Sequence, residues 1–191
     1  MRKVFRSFER SGVEYLLISG QASVLYGAAF FSEDIDLWLR PTRANISRFL
    51  RALATARATV HKLTPPMTVR NLRAGHGFHF LIPSKSGPVY LDVMGQPPRV
   101  GEFLPALARS RKMNSDWGPI PVAAIEDLIE LKKTRRLNDY EVITNLVRIR
   151  MSELSAPTRR ELRWAARNSY RAEERHGYLA RLGRVPSLGA T

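Results

Sequence analysis

Apolar residues recur along this chain with two periods, and the elements begin and end where one period gives way to the other. Val4, Phe5 and Phe8 share one face of a short helix over residues 3–11, which Ser11-Gly12 stops. Residues 14–18 form an apolar run of strand length that ends at Ser19-Gly20, and residues 21–26 read as a helix closed by Gly27. Residues 34–39 alternate as a strand until Arg40-Pro41. Residues 43–57 give the clearest helix of the first half. Its stripe is Ile46, Phe49, Leu50, Leu53 and Ala54, with Arg48 and Arg51 on the opposite face. A weaker helical segment runs from Pro65-Pro66 to about residue 73. Residues 77–82 and 88–94 are hairpin strands around Ser84-Lys85-Ser86-Gly87. A short helix over 103–111 and, at best, an edge strand at Ile120-Pro121-Val122 follow.

Beyond that point the pattern is helical. Residues 123–134 place Ile125, Leu128, Ile129 and Lys132 on one side, and Asn138-Asp139 cap a second helix through residue 150. A third helix from 158 to about 178 has only Leu162, Ala165 and Ala166 as its core stripe. Strands early and helices late predict an α+β fold: a mixed sheet flanked by helices over residues 1–118, a helical region over 119–182, and a frayed tail over 183–191.

Charge changes this picture more than any other compositional fact. The 191 residues carry a formal net charge of +14, a balance that favours polyanionic partners. No acid lies between Asp36 and Asp92, a stretch in which basic residues run from Arg40 to Lys85. The competing reading is a protein that is simply basic and soluble. Cysteine is absent, which excludes disulfides and thiolate metal sites and leaves oxygen or imidazole ligands. No apolar run approaches the roughly 18 residues of a membrane span, and the charged N-terminus lacks a signal-peptide core, so a cytoplasmic protein without membrane partners is expected.

The chemistry concentrates in three aspartates. On a strand, Asp34 and Asp36 project from one face while Ile35, Leu37 and Leu39 project from the other. Asp92 interrupts Val89, Leu91 and Val93 in the same way. Such carboxylates repel unless a cation lies among them, and Mg²⁺ takes hard oxygen ligands. They read equally well as solvent-facing residues of a half-exposed sheet. His76 and His79 are three apart, on opposite faces of an extended segment, so they do not share a metal; His79 suits a structural or acceptor-binding role. No nucleophile elbow and no P-loop are present. Arg160, Arg163, Arg167 and Arg171 fall on one strip of a continuous helix, which suits either a nucleic-acid backbone or a solvated face.

Ser19-Gly20, then Asp34-Ile35-Asp36, then Asp92 on a later strand resembles the glycine turn and aspartate triad of the polymerase-beta-like nucleotidyltransferases. The run Ser19-Gly20-Gln21-Ala22, Tyr26-Gly27 and Ser32-Glu33-Asp34-Ile35-Asp36-Leu37 looks most like the small bacterial branch, which holds minimal nucleotidyltransferases and abortive-infection toxin-type enzymes. The block from Pro121 to Lys132, followed by Arg136 and Asp139, is similar to the helix after that family's catalytic sheet. The resemblance implies a nucleotidyltransferase-like sheet and transfer of a nucleoside monophosphate from an NTP to a hydroxyl acceptor. It also implies one or two Mg²⁺ on Asp34, Asp36 and Asp92, triphosphate held at Ser19, Gly20 and Gln21, and phosphate contacts from Lys132 and Asp139. Asp139 reads equally as a helix N-cap. The acceptor would be tRNA, as in the toxin-type relatives, a protein side chain, or a small molecule such as an aminoglycoside. The net charge favours RNA, which Arg48, Arg51 and the late arginines would contact, and a toxin-type enzyme would have an antitoxin protein as partner. The chain departs from the pattern at Ser19, where a glycine is usual, at bulky Gln21, and at Phe30-Phe31, where an arginine often stands. Those departures favour the alternative of a catalytically degenerate fold acting as a nucleic-acid or partner-binding module.

Overall fold

The computed structural model describes residues 1–85 and 87–184. It divides into two compact units, the first ending at Leu131 and the second beginning at Lys132. The expected boundary at 118/119 moves because β7 (Gly118–Val122) is a paired strand of the first unit.

The first unit is built on a seven-stranded mixed sheet. Its strands are β1 (Tyr15–Ile18), β2 (Ile35–Leu39), β3 (Thr59–Val60), β4 (Gly77–Ile82), β5 (Val89–Met94), β6 (Arg111–Ser115) and β7, in the order β3-β4-β5-β2-β1-β7-β6. Helices α1 (Arg2–Arg10), α2 (Ser19–Leu25), α3 (Arg43–Thr55), α4 (Val69–Arg73), α5 (Phe103–Arg109) and α6 (Ile125–Lys132) connect or flank the strands. The expected α+β class holds. β7 lies inside the order rather than at the edge. β1 meets it only at Leu17 opposite Val122, so that side of the ladder asks little of Pro119 and Pro121. The two-residue β3 and the edge strand β6 escaped the hydrophobic pattern because their residues are largely exposed.

One side of the sheet is apolar and ring-filled. Phe8 of α1 meets Tyr15 at 5.5 Å and Phe49 of α3 at 5.3 Å, and Phe49 meets Phe80 of β4 at 5.9 Å. Leu17, Leu37, Leu39, Leu91 and Val93 are buried with them. On the other side Trp38 is fully buried. Its indole N–H donates to the Gly95 carbonyl at 3.1 Å, and its ring meets Phe103 of α5 edge-on. α6 ends under a cap from outside the helix, as Arg99 donates to the carbonyls of Glu130 and Leu131 at 2.8 and 3.0 Å.

The second unit contains α7 (Leu137–Ser152), α8 (Arg159–Asn168) and α9 (Ala172–Arg184). The single helix expected from 158 to 178 is two. Ser169 is extended, and the Tyr170 N–H donates to Thr144 Oγ1 at 3.0 Å instead of continuing the ladder. Thr158 and Glu161 form a reciprocal capping box at the start of α8. The tail expected over 183–191 begins inside α9, which runs to Arg184, and from residue 185 it lies outside the described residues.

Candidate functional site

Strand register assembles a polar row across the sheet. Parallel β2 and β5 set Asp36 opposite Asp92, antiparallel β4 sets His79 opposite Asp92, and β1 brings Ile18 opposite Asp36. Directly opposed residues share a face. Asp36, Asp92 and His79 therefore stand side by side, one strand spacing of about 4.8 Å apart, while Ile35, Leu37, Leu91 and Val93 fill the other face. Asp36 is half-buried, and the side chains of Asp92 and His79 keep 30% and 25% of their exposure, enough for a solvent-borne ligand to reach them. His79 Nδ1 lies 2.7 Å from Asp92 Oδ1. An ionised carboxylate only accepts, so in that state Nδ1 carries the proton and donates it.

The turn beside this row is strained and clamped. Ile18 ends β1, and Ser19, the first residue of α2, sits at φ +61°, a conformation costing a non-glycine residue roughly 1–3 kcal/mol. Gly20 has no room for a side chain: a Cβ there would lie 2.8 Å from Ser32 Cβ and closer still to its hydroxyl. Gln21 Nε2 donates to the Ser32 carbonyl at 2.6 Å, and Ser32 Oγ donates to the Asp34 carbonyl at 3.2 Å. Ser32 thus ties the turn to the entry of β2. Sequence reasoning missed it, since its only signal was a place two residues before Asp34.

Other expected site residues are distributed differently. Asp34 precedes β2 rather than belonging to it and is exposed, because the chain bends at residues 33–34 before pairing starts at Ile35. In the second unit Asp139 is not the N-cap of α7. Arg136 holds that position, and Asp139 lies in the first turn with its carboxylate accepting from Lys132 Nζ at 3.0 Å and Thr134 Oγ1 at 2.6 Å. Arg48 reaches Glu14 at 3.8 Å, whereas Arg51 is exposed. Arg160, Arg163 and Arg167 lie exposed on α8. Arg171 falls between α8 and α9 and pairs with Glu141 at 2.7 Å, so the four-arginine strip expected on one helix is interrupted.

No known protein-family profile and no curated protein matches the chain. Solved structures do. An antigenic nucleotidyltransferase-like protein from Paracoccidioides brasiliensis superposes with a TM-score of 0.52 at 15% identity, covering 95% of this chain and 85% of its own. The structure of ANT(2″)-Ia in complex with adenylyl-2″-tobramycin gives a TM-score of 0.46 at 13% identity over 95% of this chain and 94% of its own. At such identities the first of these establishes the fold, a nucleotidyltransferase-like one, in agreement with the resemblance read from the aspartate and glycine-turn motifs. No helix among the described residues is long and apolar enough to cross a membrane.

Proposed function

We propose that the chain is a Mg²⁺-dependent nucleotidyltransferase that moves a nucleoside monophosphate from an NTP to a hydroxyl acceptor. The observation that carries this reading is Asp36 in register with Asp92, one strand away from the Ser19-Gly20 turn. Two carboxylates held side by side on half-buried positions form a hard-oxygen ligand pair that a divalent cation would fit. Among the described residues no group of three or more His, Asp or Glu side chains is arranged as an ion cage. Mg²⁺ is commonly bound by one or two carboxylates plus substrate phosphates and retained waters. Asp36 and Asp92 would hold it, and the resemblance alone adds Asp34. Bound there, Mg²⁺ would supply Lewis-acid stabilisation of the charge that develops during the displacement.

The remaining work falls to the chain. Ser19, Gly20 and Gln21 line the turn that would receive the triphosphate, and Asp92 would take the acceptor hydroxyl's proton while His79 holds its other side. The acceptor oxygen attacks the α-phosphorus as the bond to pyrophosphate breaks. The resemblance also assigns phosphate contacts to Lys132 and Asp139, which pair with each other at 3.0 Å. We assign RNA, tRNA included, as the acceptor class because of the net charge of +14 and the exposed Arg51, Arg160, Arg163 and Arg167. A toxin-type role with an antitoxin partner follows from the same resemblance.

A second reading, a degenerate fold retained for binding, is favoured by strained Ser19 and by His79 already occupying Asp92. Transfer of radiolabel from each α-labelled NTP to total RNA, run beside Asp36→Ala, separates the two. The enzyme reading expects Mg²⁺-dependent incorporation that the variant abolishes. Absence of incorporation, together with no Mg²⁺-dependent thermal stabilisation by any NTP, leaves the binding module.

A further inference from the structure

The opposite, helix-covered side of the sheet carries a second charged feature that the transfer reading does not use. A groove of about 1260 Å³ runs between α1, the end of α3 and the segment after β4. Arg2, Lys3, Arg6, Arg10, Arg57 and Lys85 line it against a single acid, Glu9. All six cations are exposed. Among the described residues, Lys3, Arg6, Arg10, Arg57 and Lys85 have no carboxylate within ion-pair reach, and Arg2 is turned to the Asp116 carbonyl at 2.9 Å. Six cations gathered from three elements against one carboxylate repel one another, and a bound polyanion relieves that cost.

The fold explains how they are gathered. α1 buries Val4, Phe5 and Phe8 on the sheet side, which leaves Lys3, Arg6 and Arg10 as one outward strip at i, i+3 and i+7. At 1.5 Å per residue the strip is roughly 10 Å long, about three nucleotides at the 3.4 Å rise of a nucleic-acid strand. Arg57 and Lys85 belong to the other two walls.

We propose that this groove binds the phosphodiester backbone of a nucleic acid, without contributing to the reacting site on the other side of the sheet. The geometry selects this partner over two others. The groove exceeds the roughly 300–1,000 Å³ typical of small-ligand pockets. A membrane-surface helix would expose its apolar face, and α1 has buried its own. The arginines provide backbone contact without a base-reading surface, so the binding is governed by charge and salt rather than by sequence.

The test is fluorescence anisotropy of the full chain with a labelled 20-nucleotide single-stranded RNA and the matching DNA, with NTP and Mg²⁺ omitted, from 50 to 300 mM salt. The expected result is binding whose salt slope falls by about 2 in Lys3→Ala/Arg6→Ala/Arg10→Ala, at about 0.7 per lost phosphate contact, and by about 1 in Arg57→Ala/Lys85→Ala. The second variant touches different elements, so it decides the matter even if the first perturbs α1. A charge-matched control, Arg175→Ala/Arg181→Ala/Arg184→Ala on α9, keeps the wild-type slope. Asp36→Ala also keeps it, so loss of transfer and loss of binding are separately readable. Equal loss in the α9 control, unchanged slopes in both groove variants, or tighter association with phosphatidylserine vesicles than with RNA overturns the proposal.

Discussion

The two sides of the central sheet use the same strands for opposite ends. On the α1/α3 side, Phe8, Tyr15, Phe49 and Phe80 interlock with the aliphatic residues of β1, β2 and β5, and every ring among them is at least nine-tenths buried. On the other side the same strands present Asp36, Asp92 and His79 in a row that stays partly open to solvent. Alternation along β2 makes this possible: Ile35 and Leu37 secure the strand while Asp36, between them, projects from the other face. At these positions packing and charge are separated by face, although Trp38 adds a buried ring to the acid-bearing side, and substitutions at the two sets should fail in different ways.

The largest effect is expected on the ring side. Phe49→Ala removes a fully buried ring that touches both Phe8 and Phe80, and the cost should be about 3–5 kcal/mol, seen as a fall of roughly 10 °C or more in the melting temperature. Near-native melting would mean that α1 and α3 do not cover the sheet as described. Across the sheet, the proposed function expects Asp36→Asn to lower NMP transfer by at least about 100-fold, comparable to removing one preorganised charge from an active site. Its stability should stay within about 1 kcal/mol of wild type, because the amide is nearly the same size and shape as the carboxylate and the position is only half-buried. If Asp36→Asn instead melts early with transfer intact, the division of labour between the faces is wrong.

How much of this could be read beforehand follows the same division. Periodicity located β1, β2, β4 and β5 and the α3 stripe, since each buries one face against a dense core. It also put Asp36 and Asp92 on the non-core sides of their strands. It could not supply the register that makes them neighbours, because pairing order is a long-range property that alternation leaves open. The partnership of His79 with Asp92 stayed hidden for that reason. Exposed elements were the other loss: β3 and β6 bury too little to leave a pattern, and the break at Ser169 depends on Thr144, 25 positions away in the chain. Asp139 lies past the cap position of its helix, which Arg136 holds, and a Thr134 hydroxyl and a Lys132 ammonium engage the carboxylate that looked like a cap.

The turn between the faces gives a smaller and sharper test. Ser19→Gly should relieve the φ +61° strain and raise stability by about 1 kcal/mol, a gain of a few degrees in melting temperature. If the strained serine is tolerated because its backbone positions substrate phosphate, transfer should hold or improve with glycine. A stability loss would show that the Ser23 hydroxyl bond to the Ser19 carbonyl, 2.9 Å long, requires the serine backbone as it stands.

The smallest effect belongs to the one titratable group inside the ring layer. Tyr15 is buried against Phe5 and Phe8, and that burial, reinforced by the negative charge of Glu9, raises its phenol above the ordinary value near 10. A folded-state pKa above the unfolded one means that the native state keeps a proton the unfolded chain releases. The associated stability is complete below pH 10 and is lost as pH rises from there through the folded value. Urea melts at pH 8 to 11 should show wild type weakening above pH 10, and Tyr15→Phe, which leaves no hydroxyl to ionise, declining less over the same interval. At pH 8 the two should differ by under ~1 kcal/mol, because the ring packing is retained. Parallel decline of both proteins would locate the alkaline sensitivity elsewhere and remove Tyr15 as the feature that sets the ring side apart in its response to pH.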